Sequence, residues 1–351
     1  MLIEENIPLA PLTTLKVGGP ARLFVNASTP DDVMSAVQYA RSNHLSVFVL
    51  GGGSNVVVSD AGFNGLVLKI ALMGVKVRDV RECSREYEVG AGEEWDAFVA
   101  RAVAEDCAGV ETLSGIPGTV GGTPVQNVGA YGQEVAETIQ SVSVLDLQTM
   151  QVKDLSNAEC GFSYRTSIFN TTAQGRYIVL GVTYSLEIGG AARIVYADLK
   201  KYFADSTEQP SLAQTREAVR AVRLSKAMLI VPDDEDCRSA GSFFKNPIVD
   251  TAKYEEVAEA VARKGSAIVP PKYPATDGKV KISAAWLVEN AGFPKGYGRG
   301  NAGISRKHTL ALVNRGGATA TEVVALKDEI QRGVMNAFGI LLQPEPVMVG
   351  F

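Results

Sequence analysis

The chain has 351 residues, 46% of them hydrophobic and 21% charged, the balance of a soluble globular protein large enough for two or three domains and a bulky cofactor. Its formal net charge of −5 excludes the basic surface that a nucleic acid or an anionic membrane requires, while a small anionic substrate needs only a few local Arg and Lys side chains. No run approaches the ~18 apolar residues of a membrane helix, and Met1 to Lys16, with Glu4, Glu5 and no apolar core, is not expected to be a secretory leader.

In chain order, Arg22 to Val25 reads as a strand. Pro30 to Asn43 reads as a helix, with Val33, Ala36, Val37 and Ala40 on one face and Thr29 as its cap. Ser46 to Leu50, Val56 to Val58 and Leu66 to Ile70 read as strands around a glycine cluster. Trp95 to Glu105 is helical, among strands at Glu86 to Gly90, Val142 to Asp146 and Tyr177 to Leu186. Helices are expected at Tyr196 to Phe203 and Leu212 to Leu224. The acidic segment Lys226 to Arg238 marks a boundary. Beyond it come helices at Ala252 to Lys264, Ser283 to Asn290 and Thr321 to Ala337, a strand at Leu310 to Asn314 and an extended tail, Leu341 to Val349. The pattern is α+β with a separable last unit.

The 35 glycines are clustered, as expected where backbone lies close to a ligand. Gly298-Arg299-Gly300-Asn301-Ala302-Gly303 matches the dinucleotide fingerprint, with Glu322 beyond it. That motif must follow a strand and open a helix; here a helix precedes and a strand follows, so an ordinary glycine-rich loop is the better reading. Gly51, Gly52, Gly53, Ser54 and Asn55 lie between two strands, which excludes both the Rossmann turn and the Walker loop. They suit a nest of backbone N–H groups for a pyrophosphate, with a tight hairpin as the alternative. A second region runs from Ser114 through Pro117, Gly118, Thr119 and Gly121 to Gln126, Asn127, Gly129, Ala130 and Gly132. Two such loops suit a long ligand with phosphates at one place and a flat ring at another.

The four cysteines, Cys83, Cys107, Cys160 and Cys237, form no Cys-x-x-Cys, so neither a zinc site nor a redox pair is expected, and free thiols fit a reducing cytoplasm. Both histidines, His44 and His308, are read as solvated. A general acid is therefore expected from another residue type.

Taken together, Gly51 to Asn55, Ile116 to Gly121 and Gln126 to Gly132 resemble the UDP-N-acetylenolpyruvoylglucosamine reductases. So do Phe162 to Phe169, Ala240 to Pro247 and Leu342 to Pro346. The six motifs stand in the family's order and span about Leu12 to Val349. The resemblance implies a vanillyl-alcohol-oxidase-like, PCMH-type FAD fold. Its two flavin subdomains are expected at 1–74 and 75–225, the latter with the tail 338–351, and a substrate-binding domain at 226–337. It implies non-covalent FAD, NADPH as co-substrate, and UDP-N-acetylglucosamine enolpyruvate as the compound reduced, in a monomeric cytoplasmic enzyme without metal. The Tyr164 segment and the Tyr196 region resemble the subtype with a tyrosine-bearing substrate loop. Two departures stand out: the long acidic 226–238 segment, and Val347 where some relatives carry a basic residue.

Hydride addition to the methylene carbon of an enolpyruvyl ether pushes charge onto the neighbouring carbon and its carboxylate. That transition state needs a cation at the carboxylate and an acid at the carbon. Arg165 offers a bidentate fork. Under the resemblance Glu345 polarises the developing enolate and Ser242 gives the proton; Tyr164, Tyr196, Lys226 and Asn246 are substrate-binding candidates. A flavin oxidase of the same superfamily and a flavin-binding redox sensor are the alternatives.

Overall fold

In the computed structural model, which describes residues 1–81, 83–263 and 269–351, the first helix spans Pro30–Ser42 and begins as its sequence suggests. The Thr29 hydroxyl accepts from the backbone N–H of Asp32, and the Asp32 carboxylate accepts in return from Thr29. Its apolar face, Val33, Ala36, Val37 and Ala40, is fully buried. The chain divides into two compact units: Met1–Ile7, Ala21–Gly53 and Asn64–Ile230, and Pro8–Pro20, Ser54–Phe63 and Val231–Phe351.

Among the described residues the first unit holds two large sheets, besides the short pair Gly129–Ala130 and Gln133–Glu134. One has the order Glu4–Pro8, Pro20–Ala27, Phe63–Ile70, Val47–Leu50, with the last two strands parallel. The other is antiparallel, ordered Gln151–Ser156, Ile139–Asp146, Tyr177–Ile188, Ser84–Gly90, Val75–Arg81, with Cys107–Ala108 paired beside Tyr177–Ile188. Three polar or aromatic side chains tie this sheet to the loops around it. The Trp95 indole N–H donates to the Leu113 carbonyl at 3.0 Å, and its ring packs on Phe98 and Tyr184. The Tyr184 hydroxyl meets the Thr123 hydroxyl at 2.6 Å in a fully buried position. A buried hydroxyl left unpaired would cost ~1–3 kcal/mol, so this pair holds the second glycine-rich region onto the sheet.

The second unit carries an antiparallel sheet, Ser239–Ser242, Ala311–Asn314, Ala302–Ile304, Gly298–Arg299, and a small one of Ile248–Val249, Val280–Ile282 and Lys272–Pro274. Helices Thr251–Arg263, Ala284–Asn290 and Ala320–Phe338 cover them; Lys264, expected to end the first of these, lies outside the described residues. The Asp60 carboxylate accepts from the backbone N–H groups of Ala320 and Thr321, which suits a negative charge at a helix start. Its pKa is lowered: burial would raise it, but the hydrogen bonds from Thr321 and Ala320 prevail.

Two sequence expectations resolve here. The G-x-G-x-x-G stretch is a hairpin, Gly298 opposite Gly303 and Arg299 opposite Ala302, not a nucleotide loop. The glycine cluster Gly51–Asn55 is not a hairpin, because its flanking strands pair elsewhere: Val47–Leu50 with Phe63–Ile70, and Val56–Val58 in parallel with Val347–Val349. Both of these paired strands, Val56–Val58 and Val347–Val349, lie in the second unit with 231–337.

Candidate active site

Within the first unit the two glycine-rich loops meet. A Cβ on Gly52 would lie 2.5 Å from the Gly118 Cα, and one on Gly51 would lie 2.9 Å from the Thr119 Oγ1. At Gly52 a side chain would meet bare backbone, so that position needs glycine; at Gly51 the neighbour is the Thr119 side chain. The Thr119 Oγ1 is buried with no hydrogen-bond partner, although Thr119 would ordinarily find one. Lys69 Nζ donates to the Gly51 carbonyl, and burial lowers its pKa. Bare backbone on two loops beside an orphaned hydroxyl fits a ligand laid against main chain, the arrangement an FAD requires.

Other residues in these loops are occupied within the protein. The Ser114 hydroxyl donates to the Glu111 carbonyl at 2.6 Å. Gly121 backs onto Ala91, whose carbonyl accepts its N–H at 2.9 Å. The Asn127 side chain donates to Glu134 and to the Ser163 carbonyl, and accepts from the Ala136 N–H. These bonds tie the loop to Ser163 and to Glu134 and Ala136. Pro117, Gln126 and Ala130 are half-buried in the same region. Ser54 and Asn55 belong to the second unit, where the Asn55 side chain donates to the Glu345 carbonyl at 3.3 Å.

Arg165 sits in a tight turn made by reciprocal backbone bonds between Ser163 and Thr166. Its own φ is +55°, a left-handed conformation costly for a long side chain. Asn170 steadies it by donating to the Arg165 carbonyl at 3.1 Å. The guanidinium donates to the Gly129 carbonyl at 2.7 Å and lies 5.4 Å from the Tyr164 ring centroid. It is thus aimed at the second glycine region rather than at bulk solvent.

Tyr196 and Lys226 are brought together in the same unit. Lys226 Nζ pairs with Asp198 at 2.6 Å, and the Tyr196 ring packs edge-on against Tyr131 at 5.4 Å. Sequence reading missed Arg223, whose guanidinium is buried against Gly115 with Nε unpartnered while Nη2 donates to the Met228 carbonyl at 2.5 Å. Burial lowers its pKa. The signal was present: Arg216, Arg220 and Arg223 recur at helical spacing on helix Leu212–Ser225, and the first two grip Asp96.

In the second unit the Ala240–Pro247 and Leu342–Pro346 motifs run side by side. The Glu345 N–H donates to the Phe243 carbonyl at 2.9 Å, the Lys245 N–H to Gln343 at 2.9 Å, and Phe244 bridges to Pro344. Glu345 is therefore anchored one residue from Ser242. His308, expected in solvent, is half-buried with Nε2 3.2 Å from the Ser242 Oγ. The Asn246 Oδ1 accepts from the Ala284 N–H at 2.8 Å, satisfying the first N–H of the helix Ala284–Asn290 that Ser283 caps. Among the described residues no group of His, Cys, Asp and Glu is arranged to hold a metal ion.

Two family models match this chain: an FAD binding domain over residues 21–155, and the C-terminal domain of UDP-N-acetylenolpyruvoylglucosamine reductase over residues 232–349. It is 48% identical to the UDP-N-acetylenolpyruvoylglucosamine reductase of Thermobifida fusca, over 99% of this chain and 98% of that one. It is 46% identical to the protein of the same name from Streptomyces avermitilis, over 99% and 94%. A crystal structure of the reductase from Thermus caldophilus superposes with a TM-score of 0.66 at 25% identity, covering 99% of both chains. The fold is the α+β, vanillyl-alcohol-oxidase-like FAD fold that the sequence resemblance implied. With near-complete coverage at this identity, the chain belongs to the UDP-N-acetylenolpyruvoylglucosamine reductase family.

Proposed function

We propose that this chain is an FAD-dependent oxidoreductase that reduces the enolpyruvyl ether of UDP-N-acetylglucosamine enolpyruvate to UDP-N-acetylmuramate, a peptidoglycan precursor, with NADPH as reductant. Bound FAD would supply the hydride-carrier chemistry that links NADPH to the methylene carbon of the enolpyruvyl group. Gly51, Gly52, Gly118 and Thr119 offer the main-chain cradle for it. Arg165 binds the substrate carboxylate through its planar fork. Glu345 polarises the developing enolate, and Ser242 gives a proton to the carbon bearing the carboxylate. Tyr164, Tyr196 and Lys226 contact the substrate; Asn246 does so through its amide end, its oxygen being engaged by Ala284.

The observation that carries this reading is the anchoring of Glu345 beside Ser242 by the Phe243 carbonyl, which puts a carboxyl group and a hydroxyl on adjacent chain segments. We read 1–74 and 75–225 with the tail 338–351 as the two flavin subdomains and 226–337 as the substrate domain; the large sheets within 4–70 and 75–188 support the first two. We place the enzyme in the cytoplasm as a monomer; no helix among the described residues is long and apolar enough to cross a membrane.

Anaerobic stopped-flow kinetics separate the two half-reactions. Ser242→Ala should bind FAD and be reduced by NADPH at a near-normal rate. Its reoxidation by the UDP-enolpyruvyl sugar should slow by ~10²–10⁴-fold, the contribution of a positioned acid. Equal slowing of both half-reactions would point to a damaged flavin pocket, and unchanged reoxidation would remove Ser242 from the mechanism.

A further inference from the structure

We infer that His308 is a positioning residue for Ser242, donating a hydrogen bond from Nε2 to the serine Oγ so that the hydroxyl proton is left free for the substrate. The inference rests on the reading of Ser242 as proton donor. Its starting point is the 3.2 Å separation between the two side-chain atoms.

The fold brings these residues together by a specific device. Ser242 ends the strand Ser239–Ser242 opposite Ala311, and the register shifts between Ser239 and Ser242. Gly241, at φ +76°, supplies the left-handed step there. On the neighbouring chain the Ala311 N–H donates to the His308 carbonyl at 3.1 Å. That turn folds the imidazole back over the end of the strand.

The loop carrying His308 is held from several sides. The Ser305 Oγ accepts from the backbone N–H of Lys307 at 3.0 Å and of His308 at 3.3 Å. The Asp236 carboxylate, buried to 3% exposure, accepts from the Arg306 N–H and Nε, each at 2.9 Å. Asp234 takes Lys307 Nζ at 2.7 Å, and the Thr309 hydroxyl donates to Glu289. The acidic connector, otherwise without an evident use, thereby staples the residues next to His308. An imidazole with a fixed backbone holds its partner far more tightly than one on a free loop.

A serine hydroxyl has one proton and two lone pairs, and it rotates. If the imidazole Nε2 accepted, the Ser242 proton would point at His308 and away from the substrate. With Nε2–H donating into one lone pair, the proton remains available. As the C–H bond forms at the substrate carbon, the Ser242 O–H bond breaks and its electron pair stays on Oγ. The Nε2–H donor then faces the charge growing on that oxygen, and a proton from solvent later restores the hydroxyl.

The test uses the full-length, FAD-loaded enzyme and four variants: His308→Leu, His308→Gln, Ser242→Ala and the His308→Leu/Ser242→Ala double mutant. All should be reduced by NADPH at close to the normal rate, which shows an intact flavin site. Reoxidation by the UDP-enolpyruvyl sugar should be ~10²-fold slower in His308→Leu, the scale of losing one donor to a developing oxyanion. Glutamine retains an N–H donor and should restore the rate to within roughly tenfold of normal. The double mutant should be no slower than Ser242→Ala alone. Normal reoxidation of His308→Leu, equal loss in Leu and Gln, or multiplied losses in the double mutant would each overturn the inference. Normal reoxidation of Ser242→Ala would instead overturn the underlying reading, and this one with it. A second measurement needs no turnover. The chain has only two histidines, so ¹⁵N-imidazole NMR can assign the His308 tautomer directly. Neutral His308 should carry its proton on Nε2; a proton on Nδ1 alone refutes the donor role.

Discussion

Arg165 Nη2 donates to the carbonyl oxygen of Gly129 at 2.7 Å, joining a strained turn in the 157–176 connection to the second glycine-rich region. The guanidinium is thereby fixed at one edge by main chain, as bidentate recognition of a carboxylate requires.

Arg165→Lys should keep the charge and lose the fork. Ground-state binding should survive better than turnover. Steady-state kinetics should show kcat/KM reduced by at least ~2 kcal/mol, roughly 30-fold. Near-normal turnover with the enolpyruvyl substrate would make Arg165 a structural residue only.

Gly52→Ala places a methyl 2.5 Å from the Gly118 Cα, backbone against backbone, with no flexible side chain to yield. The loops must separate, at a cost of ~1–3 kcal/mol. The change should appear as weakened FAD retention on gel filtration and a flavin Kd raised at least ~10-fold. Full retention of flavin would show that the contact between these loops does not shape the cradle.

Asp96 tests the electrostatics beneath the second glycine loop. Its carboxylate accepts from Arg216 at 2.6 and 3.0 Å and from the Gly115 N–H at 2.5 Å. Burial would raise its pKa, but these bonds and the charges of Arg216 and Arg220 leave it lowered. A depressed carboxylate contributes stability above its unfolded pKa of ~3.9 and loses it as pH falls through the folded value. Asp96→Asn should therefore cost about 2 kcal/mol in urea unfolding at pH 7. The gap from wild type should close as pH drops below ~4; a penalty independent of pH would rule out the ionic origin.

Acid precipitation of the holoenzyme should leave yellow flavin in the supernatant. His44 is exposed after the first helix and His308 sits against Ser242. Cys83 is exposed; Cys107, Cys160 and Cys237 are buried, and burial pushes the Cys160 thiol up to about 11. None lies in a glycine loop, so no covalent link to FAD is expected. Colour retained in the pellet would show attachment.

Local sequence determined the parts of this protein that depend on near neighbours. Thr29 as a cap, and the apolar face Val33, Ala36, Val37 and Ala40 that follows it, were legible because a cap and a 3.6-residue period act within a few residues; the Thr319–Glu322 cap was not read. The six ordered motifs carried the family, and the strand after Gly298–Gly303 was enough to reject a nucleotide loop. Exposed strands such as Val75–Arg81 were not legible, since cross-strand pairing rather than burial holds them. Tertiary structure alone decided that Gly52 meets Gly118, that Val347–Val349 pairs with Val56–Val58, and that His308 reaches Ser242. Each joins segments far apart in the chain, and such contacts are set by sheet register and by which carboxylate a loop finds. Arg306, Lys307 and His308 read as a solvated polar run until Asp234 and Asp236 take the first two and leave the third facing the serine.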